Sequence, residues 1–149
     1  CTDNNRVYKY VRRDYIRPVN NLDYYKVFLS KANGTGEYGE IITSPFVGEP
    51  GTGNTETFIS IGKLGSRYEG EALVKYIKTR FLRSILGALK TTQDITPEKW
   101  QYVPLQNFTP ISDIDWSLSV DDIDELLYTK YELTAGERDF IHRKVQKME

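Results

Sequence analysis

The apolar positions of this chain change rhythm near residue 65. Before it they come in short runs rich in Val, Ile, Tyr and Phe, separated by Pro, Gly and Asn. ValTyrLysTyrValArgArgAspTyrIle (7–16) alternates in part, and AspTyrTyrLysValPheLeuSer (23–30) is a second β-favouring run. Pro18 and Asn20-Asn21 between them are turn material, so the two predict a hairpin. IleIleThrSerProPheVal (41–47) and PheIleSerIleGly (58–62) follow as short strands, set apart by the Gly-rich stretch 31–40 and by GluProGlyThrGlyAsnThrGluThr (49–57). After the break at Gly65-Ser66 the period becomes helical. Residues 71–94 predict one long amphipathic helix, limited by Pro97, with Val74, Ile77, Phe81, Ile85 and Ala88 on an apolar stripe. Lys75, Arg80, Arg83 and Lys90 lie on the other side, and a Lys-Thr-Thr-Gln cluster ends the run. Ser119 with Asp122, and Thr134 with Glu137, mark two further helix starts joined at TyrGluLeuThr (131–134). The fold class expected is α+β: a short-stranded mixed or antiparallel sheet, one long amphipathic helix and a small C-terminal helical pair.

Composition suits one compact domain with its own core: 149 residues, 39% hydrophobic and 28% charged. The single cysteine, Cys1, cannot form an internal disulfide, and a cytoplasmic setting is expected. No apolar run approaches the roughly 20 residues that span a bilayer, so no membrane partner is expected. The first residues, CysThrAspAsnAsnArg, have neither an initiator Met nor a signal-peptide core, and the chain is expected to be a piece of a longer protein. The net charge of −1 is unevenly spread. Residues 111–149 hold ten acids against five bases, and residues 1–110 hold eleven acids against fifteen bases. This divides the chain into a mildly basic body (1–110) and an acidic helical tail (111–149) packed on it as one compact unit. The tail helices invite a helix-turn-helix interpretation, but phosphate would repel the acidic first one.

Several chemistries lack their residues. No GxxxxGK[ST] is present. GlyThrGlyGluTyrGly (34–39) fits a bare GxGxxG, but IleIleThr and a Pro follow where a phosphate site needs a helix, so the stretch reads as a turn. A lone His142 and a lone Cys1 do not make a zinc site, and His142 reads as a helix-surface residue. The acids of AspIleAspTrp (113–116) and AspAspIleAspGlu (121–125) are better explained by a helix N-terminus than by a metal. No metal site and no catalytic residue is assigned.

Groups suited to binding remain. The helix cations Lys75, Arg80, Arg83 and Lys90, with Thr91 and Gln93 beside them, are either a solvated helix face or a face for phosphates. On the Gly-rich loops, Asn33, Thr35, Thr52, Asn54, Thr55 and Thr57 are either turn chemistry or short side chains that reach base edges and phosphate oxygens, with Lys31 and Arg12-Arg13 as added cations. Taken together, the candidate DNA contacts are Lys31, Asn33, Thr52, Asn54, Thr55, Lys75, Arg80, Arg83, Lys90, Thr91 and Gln93, and the partner class is double-stranded DNA.

Ordered blocks over nearly the whole chain carry a resemblance. They are LysValPheLeuSerLysAlaAsnGly (26–34), GluProGlyThrGlyAsnThrGluThrPhe (49–58), GluAlaLeuValLysTyrIleLysThrArgPheLeuArg (71–83), LysThrThrGlnAsp (90–94), ValProLeuGlnAsnPhe (103–108), AspIleAspTrp (113–116) and AspGluLeuLeuTyrThrLysTyrGluLeuThr (124–134). The chain resembles the C-terminal region of bacterial restriction-modification enzymes that contain an adenine-specific DNA methyltransferase. That resemblance implies a target-recognition domain, which reads DNA while a methyltransferase core of the same parent chain acts on adenine. The core's Asn-Pro-Pro-Tyr type motif and its cofactor-binding Gly-rich turn are absent from this sequence. The resemblance therefore implies a fragment without a cofactor or catalysis of its own, S-adenosylmethionine in the core, and Mg²⁺ if the parent cleaves DNA. An assembly module of a restriction-modification complex is the alternative.

Overall fold

The computed structural model describes residues 7–17, 19–32, 36–89 and 97–149. Strands β1 (Tyr25–Ser30), β2 (Phe46–Gly48) and β3 (Phe58–Leu64) form an antiparallel sheet in the order β2-β1-β3. The most apolar strand takes the centre, with Val27, Phe28 and Leu29 all buried. Val27 and Leu29 enter the main core with the helices. Phe28 forms a second layer on the other face, its ring 5.4 Å from Phe46, which lies 5.9 Å from Phe58. A Cβ at Gly48 would stand 2.3 Å from the Phe28 ring, so only glycine fits beneath it.

Residues 7–16 do not form the expected strand. Residues 7–12 carry no regular structure and Arg13–Tyr15 is a single 3-10 turn with no buried residue. β-propensity is realised only against a cross-strand partner, and both sides of β1 are taken by β2 and β3.

The helix expected over 71–94 starts earlier and is broken. α1 (Arg67–Lys78) begins where the Ser66 side chain accepts the Glu69 N–H, and α2 (Arg80–Leu89) follows after Thr79. Residues 90–94 lie outside the described residues. Thr79 is fully buried and extended (φ −58°, ψ 146°). Its hydroxyl donates to Tyr76 O at 2.6 Å and accepts the Leu82 N–H at 3.2 Å, ending one helix and capping the next. The break rotates the apolar stripe: Ile77 and Phe81 are buried, Val74 and Ile85 half-buried, and Ala88 exposed.

Pro97 opens a one-turn helix, α3 (Pro97–Trp100). The tail forms α4 (Val120–Lys130) and α5 (Ala135–Lys144), capped by Ser119 and by a reciprocal Thr134–Glu137 box. Their Ile123, Leu127, Tyr128 and Ile141, with Val145 and Met148, join the same core as Val27, Tyr76 and Phe81. The architecture is α+β. Gly39, last of the GxGxxG-like stretch, has φ +77° and lies so close to the C-terminal backbone that a Cβ would sit 2.1 Å from Lys144 O. Gln146 N–H donates to Gly39 O at 2.9 Å, so this glycine receives the C-terminal segment.

Candidate nucleic-acid interface

Of the cations expected on the phosphate side of the long helix, the described ones, Lys75, Arg80 and Arg83, are occupied inside the molecule. Lys75 Nζ donates to three successive carbonyls ahead of α4: Trp116 O at 2.9 Å, Ser117 O at 3.1 Å and Leu118 O at 2.7 Å. Arg80 Nε donates to Val145 O at 3.2 Å, and its Nη1 lies 3.2 Å from Asp121 Oδ1. Arg83 is 3% exposed and its guanidinium spans Lys78 O at 3.1 Å, Glu40 O at 3.3 Å and Gln146 O. Burial pulls that guanidinium down to about 10, still charged at neutral pH. Lys75, Arg80 and Arg83, the phosphate candidates of the sequence, each hold the tail to the body in this fold, and a phosphate would have to displace these partners.

Asp124, one of the acids of 121–125 that the sequence assigns to a helix N-terminus, completes the break. It is 1% exposed and its carboxylate accepts Arg80 N–H at 2.9 Å and Phe81 N–H at 2.8 Å. With Leu82 N–H on Thr79 Oγ1 and Arg83 N–H on Thr79 O, all four leading amides of α2 are satisfied. Burial pushes the Asp124 carboxyl from its ordinary 3.8 up to about 6, against the pull of those amides and of Arg80 and Arg83. The sign follows from that direction. A carboxyl that holds its proton longer folded than unfolded contributes stability in full below pH 3.8, and this contribution fades as pH rises through about 6. Relative to Asp124→Asn, which does not titrate, the native protein should thus lose stability across that interval. Denaturant midpoints of the two, measured at several pH values, check this; a constant difference would contradict it.

The loop candidates come together elsewhere. Residues 49–57 start beside the turn before β1, where Gly51 N–H donates to Leu22 O at 2.8 Å, and end beside Lys31, whose N–H donates to Thr57 O at 3.0 Å. Asn54 spends its amide hydrogens on Thr55 O (2.8 Å) and Phe58 O (2.9 Å), which leaves Oδ1 as an acceptor, and the hydroxyls of Thr55 and Thr57 lie 2.8 Å apart. Asn54, Thr55, Thr57 and Lys31 are exposed and Thr52 is half-buried. Nothing lies within 4 Å of a Cβ built on Gly51 or Gly53, so a ligand meets bare backbone there. Glu56, exposed on the same loop, repels phosphate and leaves phosphate contacts to cations at its margins. Asn33, Lys90, Thr91 and Gln93 lie outside the described residues.

The acids of the tail have local partners. Asp113 meets Lys130 at 2.7 Å, Asp115 accepts from Ser117, and Asp121 meets Lys147 at 2.8 Å. His142 lies 3.3 Å from Glu125, on the surface of α5. Among the described residues no helix is long and apolar enough to cross a membrane. The chain matches no protein-family model, no curated protein and no solved structure.

Proposed function

We propose that this chain is the sequence-reading DNA domain of a restriction-modification enzyme of the adenine-methylating kind, and that it reads bases with the 49–57 loop. The observation that carries this is the loop itself: an exposed segment held in one shape by its own hydrogen bonds, presenting Asn54, Thr55 and Thr57 with Lys31 at its end. Preorganised amides and hydroxyls suit base edges, where one good contact separates right from wrong bases by about 1–3 kcal/mol. The resemblance of residues 26–134 to target-recognition regions supports the same reading. S-adenosylmethionine and the adenine chemistry belong to the parent's core, and Mg²⁺ to a parent that cleaves.

The test is a selection from random duplexes, followed by anisotropy titration at low and moderate salt. The chain should bind with strong salt dependence and enrich a preferred sequence. Asn54→Ala should then lower the preference for that sequence by about 10-fold while changing binding to random duplex little. A uniform loss on every sequence would contradict base reading by Asn54.

One observation favours the assembly alternative. A groove of about 460 Å³ between β3, α1 and residues 100–109 is largely apolar, and Leu105 and Ile111 beside it are 90% and 89% exposed. An assembly module would form a stoichiometric complex through this face without DNA.

A further inference from the structure

We infer that residues 7–17 are a phosphate-gripping arm that lies along duplex DNA beside the 49–57 loop. This rests on the DNA reading above and assigns the backbone contacts that the helix cations do not make.

The segment has no regular structure beyond one turn, and only Ile16 is even half-buried. It carries four cations, Lys9, Arg12, Arg13 and Arg17, against one acid, Asp14. Tyr8, Tyr10 and Tyr15 are 72%, 106% and 74% exposed, with Val7 and Val11 at 75% and 62%. Cations interleaved with exposed tyrosines suit a duplex backbone, whose phosphates take the charges and accept from the phenol hydroxyls while the rings lie against the sugars. The charge selects this occupant over an apolar protein surface, which would offer no anions to Lys9 and Arg17.

Its root lies near the loop. Arg13 pairs with Asp23, and the loop's Gly51 N–H is bonded to Leu22 O, so both segments hang on the turn at residues 19–24. That turn is rigid. The buried Lys26 ammonium binds Asn21 O at 3.1 Å and Leu22 O at 2.8 Å, and Asn21 Nδ2 reaches Ser60 Oγ and Gly62 O on β3, each at 3.1 Å. The arm's own ion pairs do not compete strongly with phosphate. Arg12–Asp14 and Arg13–Asp23 are open to water, with arginine side chains 74% and 72% exposed, and such pairs are weak.

The experiment compares the chain with its Lys9→Gln/Arg17→Gln variant by anisotropy titration on random duplex over a range of salt. Each lost phosphate contact should flatten the slope of log K against log salt by about 0.9, so the pair should flatten it by about 1.8. The preferred sequence selected by the loop should stay the same, and Lys9→Arg/Arg17→Lys should keep the original slope. Salt-sensitive binding by the native chain with an unchanged slope in the Gln variant would overturn the arm and leave the loop reading standing. Absence of salt-sensitive binding by the native chain would overturn both.

Discussion

Asp124→Ala is expected to destabilise the protein by about 3 kcal/mol, lowering its melting temperature by roughly 10 °C. The substitution removes the shared acceptor of the Arg80 and Phe81 amides at a buried helix start, and each donor left unpaired away from water costs about 1–3 kcal/mol. It also strips Arg80 and Arg83 of the buried carboxylate nearest them. Asp124→Asn keeps a carbonyl oxygen in place and should cost less than half as much. Thermal and denaturant unfolding of the two variants check the ordering, and equal losses would show that the space filled at this position matters more than the acceptor.

Arg83→Ala should be similarly severe, at about 3 kcal/mol, because it removes the donor to the carbonyls of Lys78, Glu40 and Gln146 and leaves a void in the seam between α2 and the C-terminal segment. Arg83→Lys should recover little, since one ammonium cannot reproduce a fork spread over carbonyls from three parts of the chain. These variants separate the two roles that sequence allows for Arg83. A phosphate contact would leave the fold stable and flatten the salt dependence of DNA binding by about 0.9. The internal role predicts an unstable fold whose remaining folded molecules bind DNA with an unchanged slope.

What could be read from sequence was what local chemistry decides. Ser119 with Asp122 and Thr134 with Glu137 fold as predicted because a cap and its amides lie within one turn of each other. β1 and β3 likewise declare themselves by their Val, Ile and Phe content. The same β-favouring composition misleads at 7–16, which pairs with no strand of the sheet. The break at Thr79 involves neither Gly nor Pro, and half of its cap is Asp124, 44 positions beyond Arg80. The tail partners of Lys75, Arg80 and Arg83 are distant in sequence for a related reason. A basic helix and an acidic tail are both evident in composition, and in the fold they answer each other: Arg80 meets Asp121, while Lys75 and Arg83 hold carbonyls ahead of α4 and after α5. The excess of acids in 111–149 is a signal for the Arg80–Asp121 pair, whereas nothing in composition marks the carbonyls that Lys75 and Arg83 hold. In the loop, by contrast, Asn54 and Thr55 are exposed and bond only to near neighbours, as the Gly-rich sequence around them suggests.

DNA should meet the face formed by the arm and the 49–57 loop, while Lys75, Arg80 and Arg83 serve the fold. Amide chemical-shift mapping of the labelled chain during titration with its selected duplex tests it most directly. The account predicts perturbations concentrated at residues 7–17, Lys31 and 51–57, with Lys75, Arg80 and Arg83 little changed. Shifts centred on Lys75, Arg80 and Arg83, or confined to the groove at residues 100–111, would contradict it.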